Sequence, residues 1–492
     1  MLLLSSIVMI PLASAALCSL VRSHRVLAGF TIVAFAAELA LGLQLFRRVL
    51  TAGVVSEWNE FFHADALSAW MVLLIAAVSL ATSLYAGRYF RRDFAAGVIT
   101  TGRIRQFFVL NSLFAAGMFL VVLANNLGVM WFALEATALA SVLLVALYNR
   151  KTSLEAAWKY VMLGSLGLAL ALFATVFTYA AAVGPHPSER LPNFNWSHLI
   201  NVAPQLDRRL IKLAFVFAFV GYGTKAGLAP MHTWLPDAHS EAPSPTSAML
   251  SGVSLKIALY ALLRFHILTT QCLGTHFSGT LLLGFGLFSM FLAAPFILVQ
   301  TNLKRLLAYS SLEHIGFICA GIGMNTPLTI FGALLHMGYH ALTKPVLFFA
   351  AGNIHQTFHS LELRVIGPGV VKVLPITVCL MGLAAAAATG LPPFGLFYSE
   401  LTVISGGFAA RQTITSVLLL VALIAAFCGI LTQLTRILLG APKVEHSNDS
   451  KPWDGVPAMG LLLGALLLFS VWLPGSMLQL IHRAAGIVGG IP

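Results

Sequence analysis

Five ionisable residues stand inside stretches otherwise apolar enough to cross a bilayer. Glu135 lies in 129–138, Lys225 in 221–228, Lys256 in 252–259, Lys344 in 336–345 and Glu400 in 395–402. A Lys or Asp at the centre of a membrane helix costs about 2.5–3.5 kcal/mol, so five facing lipid would cost more than about ten. They are expected to face protein or water and to pair with one another. Burial disfavours the charged form of any ionisable group, so each can exchange a proton near neutral pH when a neighbour's charge changes. That chemistry is a proton relay. The alternative is a set of structural ion pairs. It serves for any one residue but poorly for all five, because buried pairs are weak stabilisers beside packed apolar side chains.

The histidines extend the pattern. His336 and His340 are one helical turn apart and share a face with Lys344. The spacing also suits a metal, but no third ligand is evident, so no metal is expected. A relay through these rings is set against satisfied core histidines, and His314, after Glu313, reads the same way. His232, His239 and Asp237 belong to a predicted loop, which they either structure or open to protons.

The elements that hold these residues follow from composition. Of 492 residues, 59% are hydrophobic and 9% charged, against roughly 25% charged in a soluble domain. Mean hydropathy is +0.89. Lipid must be the main solvent, and lipid admits only helices or closed barrels. The apolar runs are about 20 residues long without strict alternation, which selects helices. About fourteen spans are predicted, near 2–21, 27–46, 66–86, 106–124, 127–147, 156–182, 209–229, 246–270, 277–299, 306–324, 327–351, 375–404, 414–438 and 456–475. The first resembles a signal peptide, with Ala13-Ser14-Ala15 as a small-residue site, but it lacks a basic start and is read as a spanning helix. Two long loops, 184–207 and 440–454, and a short aromatic stretch, 56–64, lie between spans. Loops after odd-numbered spans hold most of the Lys and Arg, including Arg88, Arg91, Arg92, Arg103, Arg105, Arg150, Lys151, Lys304, Arg305, Lys443 and Lys451. The positive-inside rule then puts those loops in the cytoplasm and both termini outside the inner membrane.

Two spans are broken beside a charge. The seventh runs Lys-Ala-Gly-Leu-Ala-Pro to Pro230, and the twelfth carries Gly390, Pro392 and Pro393 before Glu400. Gly/Pro-interrupted spans at matching places in two halves mark a transport site. The breaks are five spans apart, so a repeat of spans four to eight onto nine to thirteen superposes them, with Lys225 matching Glu400. Five is odd, so the repeats are inverted. The resulting units are 1–105, 106–270, 277–438 and 439–492. Two ordinary proline kinks are the plainer reading.

The five cysteines make no C-x-x-C spacing, and no P-loop or dinucleotide fingerprint is present. No cofactor is expected on this chain. The net charge of +12 is scattered singly rather than in a stripe, which excludes nucleic acid as a partner.

The run Ala-Pro-Met-His-Thr-Trp-Leu-Pro-Asp-Ala-His-Ser-Glu-Ala-Pro at 229–243, followed by Ser251, Gly252 and Lys256, resembles the antiporter-type subunits of respiratory complex I, membrane-bound nickel–iron hydrogenases and multi-subunit cation/proton antiporters. So do 303–311 and 336–349, and the likeness spans about 60 to 440. The resemblance implies fourteen helices with two inverted five-helix repeats. It implies relay roles for Glu135, Lys225, Lys256, Lys344 and Glu400. Lys159 is either a sixth-helix basic residue of the same kind or a helix-end charge. The run Leu-Pro-Pro-Phe-Gly-Leu-Phe-Tyr-Ser-Glu at 391–400 looks most like the hydrogenase-4 component F branch. The chain ends near its fourteenth span, without the lateral helix of the largest relatives. The expected function is proton translocation in a membrane-bound respiratory-type complex. Its expected partners are other membrane subunits and a peripheral redox module with Fe–S and Ni–Fe or flavin sites. A self-sufficient cation/proton antiporter is the alternative, disfavoured because sodium needs oxygen ligands and the mid-span acids are few. A passive anchor for a peripheral enzyme is a third reading.

Overall fold

The structure is a computed structural model that describes residues 2–183, 194–367, 370–438 and 455–490. Residues 184–193 of the first predicted long loop and all of the second, 440–454, fall outside these residues, as do Lys443 and Lys451; the rest of the first loop carries a short helix.

The chain opens with α1 (Leu3–Leu20) and α2 (His24–Ala52), packed on each other. The aromatic stretch is an antiparallel hairpin, β1 (Val55–Glu57) and β2 (Phe62–Ala64), with Val55 opposite Ala64. It leads into α3 (Ala66–Ala95), α4 (Thr101–Leu123), α5 (Leu127–Val145) and α6 (Lys151–Val183). Short α7 (Trp196–Val202), then α8 (Arg208–Ala226) and α9 (Trp234–Glu241), follow. Next, α10 (Ser244–Met249) passes through a π-helical turn at Leu250–Ser254 into α11 (Leu255–Leu273). The second half begins with α12 (His276–Val299), α13 (Leu303–Gly323) and α14 (Pro327–Phe358). Two single turns, α15 (Leu363–Ile366) and α16 (Val370–Val373), precede α17 (Pro375–Ala388) and α18 (Gly395–Ala409). The chain finishes with α19 (Thr413–Leu438), α20 (Val456–Val471) and α21 (Gly475–Val488).

The helix starts are written in the sequence. Asp65, Asn126, Asp207 and Asn302 each accept a backbone N–H of the following turn, and Thr326 and Thr329 form a reciprocal capping box. Two of these caps recur in equivalent places. Asn126 opens α5 and bridges to Asn195 beyond α6, while Asn302 opens α13 and bridges to Glu362 beyond α14. In both halves the helices then pack in sequence order, α4 on α5 on α6 and α12 on α13 on α14.

Ten of the described helices are long and apolar enough to cross a membrane, or eleven if α20 and α21, bent by 86°, count as one span. The predicted fourteen is not reached on that criterion. The missing segments are α8 and α14, which are long enough but rich in charge or histidine, and the broken α17–α18. They carry Lys225, His336, His340, Lys344 and Glu400. These polar residues lower the very hydropathy by which a span is recognised.

The two least apolar of these spans are the most enclosed: the most apolar 18-residue stretch of Ser244–Leu273 is wholly buried and that of Leu303–Gly323 94% buried, against 28% in His24–Ala52 and 33% in Thr413–Ile437. Close approach around this core depends on small residues. A Cβ on Gly286 would stand 2.6 Å from the Gly316 carbonyl oxygen, and one on Gly316 would stand 2.7 Å from that of Gly286, the small-residue contact by which membrane helices approach. Gly286→Leu should therefore push α12 off α13 and cost about 1–3 kcal/mol. Gly284→Leu, with nothing within 4 Å of its Cβ, should cost nothing measurable. Thermal unfolding in mild detergent distinguishes the two.

Candidate functional site

Each broken span is repaired in the same way. The α8 end turns at Gly227, φ +79°, and the α17 end at Gly390, φ +66°, left-handed values that glycine adopts without strain. A backbone N–H left over by each break goes to a serine of another helix. Ala229 N donates to Ser289 Oγ at 3.0 Å, and Gly395 N to Ser470 Oγ at 2.7 Å. Inside lipid such groups must find protein partners. The structure does not match Lys225 with Glu400 residue for residue. Lys225 precedes its break, in the last turn of α8, whereas Glu400 follows its break, in α18. The helical rise carries them to opposite sides of the interruption.

Lys225 is buried, and its Nζ donates to the Tyr160 hydroxyl, itself 2.8 Å from Ser141 Oγ. Trp234 stacks on Tyr160 with centroids 4.4 Å apart and donates its indole N–H to the Thr224 carbonyl at 2.8 Å. Glu135 feels the Lys225 charge but does not form an ion pair with it. It is only half-buried, beside Phe132 (62% exposed) and Leu139 (54%) on α5. Of the five charges, Glu135 alone is not fully buried within this chain. It stands at the edge of an outward face.

The second group is continuous. The π-turn before Lys256 presents the Ser251 carbonyl, and Lys256 Nζ donates to it at 2.8 Å. π-Turns concentrate at functional sites. Ser251 Oγ lies 2.8 Å from Ser311 Oγ on α13. Ser311 Oγ donates to the Leu307 carbonyl at 3.0 Å, and Lys344 Nζ donates to the same oxygen at 3.1 Å. Two buried lysines from two helices are therefore joined through two hydroxyls and two carbonyls. No direct hydrogen bond among the described residues joins this chain to the Lys225 group. Neither lysine pairs with an acid, contrary to the expected pairing; Glu313 and Lys344 interact only through space.

Beyond Lys344 lies the histidine cluster. His314 Nδ1 is 3.0 Å from His336 Nε2, and His336 Nδ1 is 3.0 Å from Ser399 Oγ. The His340 ring centroid is 4.6 Å from that of His314, and neither of its nitrogens has a protein partner. Glu400 completes the group, and a Cβ on Gly390 would strike its carboxylate. Ligating atoms of His314, His336 and Glu400 lie within 4.8 Å of one another. That supplies the third ligand the sequence reading did not find. Lys256 and Lys344 act on the same rings, and positive charge beside a site opposes a resident cation while favouring proton exchange.

The remaining sequence candidates take up positions outside this chain. Asp237 and His239 lie on α9 rather than in a loop. Asp237 ties Arg305 at 2.7 Å to Lys159 at 3.1 Å, and Lys159, about half-exposed, also pairs with Glu155. His239 is fully buried, stacked on Phe348 at 4.9 Å, with neither ring nitrogen partnered. His232 is buried edge-on to Tyr309. Pro230, Pro392 and Pro393 line the breaks on their exposed side.

Sequence reasoning missed several groups. Lys304, counted as a loop charge, is buried and donates to the Ala242 carbonyl at 2.7 Å. Asp93 accepts from Tyr148 and, at 2.6 Å, from Gln356 Nε2. Arg264 grips Asp65 at 2.6 and 2.9 Å. His266 and Glu38 are fully buried without protein partners for their polar atoms. Arg264, His266 and Glu38 lie within predicted spans, so the rule that singled out Lys256 would have found them. Ser251, Ser311 and Ser399 carry no pattern in sequence.

Broken helices around a buried lysine–histidine–glutamate axis define a membrane transport subunit, and the comparisons say of which kind. Residues 124–427 match the family described as NADH:quinone oxidoreductase/Mrp antiporter, TM. The chain belongs to that family. It is 36% identical over 447 residues to a hydrogenase-4 component F homolog of Methylacidiphilum infernorum, covering 90% of this chain and 91% of that one. It is 30% identical over 449 residues to hydrogenase-4 component B of Escherichia coli, covering 85% and 64%. Its fold is that of a chain in the archaeal membrane-bound sulfane sulfur reductase, TM-score 0.85 at 21% identity over 99% of this chain and 97% of that one. A chain of the Mrp complex from Dietzia gives TM-score 0.83 at 19% identity over the same shares.

Gly390→Ala should cost about 1–2 kcal/mol for its left-handed backbone and displace the Glu400 carboxylate. Gly460→Ala, on an open helix face with nothing within 4 Å, should not. The expected outcome is a lowered melting temperature and impaired proton uptake for Gly390→Ala alone.

Proposed function

We propose that this chain is the proton-translocating membrane subunit of a multi-subunit respiratory-type complex, hydrogenase- or formate-linked, of the component F branch. The observation that carries the reading is the buried row of Lys256, Ser251, Ser311, Lys344, His314, His336, Ser399 and Glu400. The Ser251 and Leu307 carbonyls hold the two lysines beside the serines but do not themselves carry protons. The hydroxyls and imidazoles of the row both donate and accept, so they are the groups that pass protons between the lysines and Glu400.

In this reading Lys225 is the carrier of one half-channel and Glu135 the acid that sets its charge state. Glu135 stands at the edge of an outward face, which calls for a neighbouring membrane subunit to cover it. Lys256 hands the proton through the serines and histidines to Lys344 and Glu400. The units 106–270 and 277–438 act as the inverted repeats, flanked by 1–105 and 439–492. The basic loops face the cytoplasm and the termini the periplasm. A peripheral redox module holds the Fe–S and Ni–Fe or flavin groups, and its turnover changes a charge at one end of the axis. Moving one proton against 100 mV costs about 2.3 kcal/mol, within reach of most redox couples.

Lys225→Ala should leave the complex assembled and cut redox-driven proton uptake in membrane vesicles on the order of 100-fold, the range for one positioned proton-transfer group. Uptake at the parental rate would sink the assignment. The likeness to an Mrp chain keeps cation/proton antiport as the second reading. Uptake that requires sodium, by a chain purified free of other subunits, would make that reading the first.

A further inference from the structure

We propose that Tyr260, Arg264 and Asp65 form the outlet of the relay, with Asp65 as its last proton acceptor and the Asp65–Arg264 ion pair as its gate. The inference rests on the relay reading and takes the opposite order of hand-off along the same axis, with Lys256 as the end from which the proton leaves.

Lys256, Tyr260 and Arg264 follow at four-residue intervals on α11, which sets them on one face. The lysine end of this ladder is sealed in the core. At the other end Arg264 meets Asp65 through both terminal nitrogens, at 2.6 and 2.9 Å, and donates to the Tyr260 hydroxyl at 2.8 Å and to Ser68 Oγ at 2.9 Å. Tyr260 and Ser68 are themselves 3.0 Å apart. The Arg264 guanidinium lies over the Trp196 ring, 4.2 Å from its centroid.

Two cavities meet at that ring. A void of about 10 Å³, near the size that holds one water, touches Tyr260, Arg264, His63 and Trp196. A cavity of about 1040 Å³ lies where Trp196, Ile267, Gln271, His482 and Arg483 converge. One indole thus stands between the buried ion pair and a wide vestibule. On the orientation proposed above the vestibule is on the outer side.

A buried ion pair adds little stability over apolar side chains of equal volume, so bracing α3 against α11 does not account for it. Burial alone would raise the Asp65 carboxyl, and the Arg264 guanidinium holds it instead at about 2. While the pair is closed, Asp65 therefore refuses a proton, and protons cannot return from the vestibule. Lys256 lies about 12 Å away along the helix, and a proton delivered from it to the Asp65 carboxylate removes the charge that holds the guanidinium and so opens the pair. The Lys256 ammonium releases a proton to the Tyr260 hydroxyl, which turns its own proton from the Val122 carbonyl, where it stands at 3.0 Å, toward Asp65, and the Asp65 carboxylate becomes a carboxylic acid. That acid releases the proton to water and re-forms the pair. One proton crosses and no other reactant changes.

The test is a double variant, Asp65→Asn with Arg264→Met, in the assembled complex. Asparagine keeps the cap that Asp65 provides to α3, and no orphan charge is left in the core. Assembly is read on a native gel and acidification of everted vesicles with a pH-sensitive dye. The expected result is normal assembly with acidification reduced roughly tenfold or more, and recovery in Asp65→Glu with Arg264 intact. Normal acidification by the double variant overturns the outlet. If Lys225→Ala still fails to pump in that case, the relay stands and its exit lies elsewhere; if both pump, the relay reading falls as well. Should the double variant not assemble, Tyr260→Phe carries the same test, since it removes one hydroxyl and keeps the ring. Loss of acidification supports the outlet, and normal acidification overturns it.

Discussion

A charge inside a bilayer has to be covered, and the whole arrangement of this chain follows from covering a row of them. Lys225, Lys256, Lys344 and Glu400 are buried; the three lysines find a phenol and two carbonyls, and Glu400 packs against Gly390. Two of the helices that carry them, α11 and α14, are consequently inner ones. The apolar helices α2, α12 and α19 take the outside, where lipid asks only for hydrocarbon.

Covering charges also dictates where helices break. A regular helix turns its carbonyls along its own axis and already uses them, so an ammonium must share one or find one freed. Lys256 obtains one because the π-turn at Leu250–Ser254 releases the Ser251 carbonyl. Lys344 borrows one from the neighbouring α13, where Leu307 O already accepts from Ser311. At the two full breaks, Ser289 and Ser470 accept the leftover amides. Small hydroxyl residues are thus the second structural requirement, after the charges themselves.

Much of this was legible in the residues. Membrane helices, both broken spans, the family and the main buried charges could all be read from composition, Gly/Pro placement and charges within apolar runs. The unread part is of a definite kind. Serine is common in membrane helices for many reasons, so nothing marks Ser251 or Ser311 until the π-turn and α13 are seen to meet. Lys304 has the sequence appearance of a loop charge because it sits one residue into α13, and only tertiary packing buries it beneath Ala242. The placement of Glu135 at an outward face has no sequence signal within a helix that is apolar all round. Arg264 is a different failure, a legible residue passed over although it lies in the same span as Lys256.

Lys225, Lys256 and Lys344 are not held alike. A carbonyl only accepts, so the oxygens of Ser251 and Leu307 meet Lys256 and Lys344 solely through protons those lysines donate. A phenol both accepts and donates. Tyr160, backed by Ser141 and clamped by Trp234, is the partner that Lys225 has instead. The difference does not follow the two halves of the chain, since Lys256 lies on α11 and Lys344 on α14. It follows the local backbone: a carbonyl within reach decides the partner at Lys256 and Lys344, and a side chain of α6 decides it at Lys225.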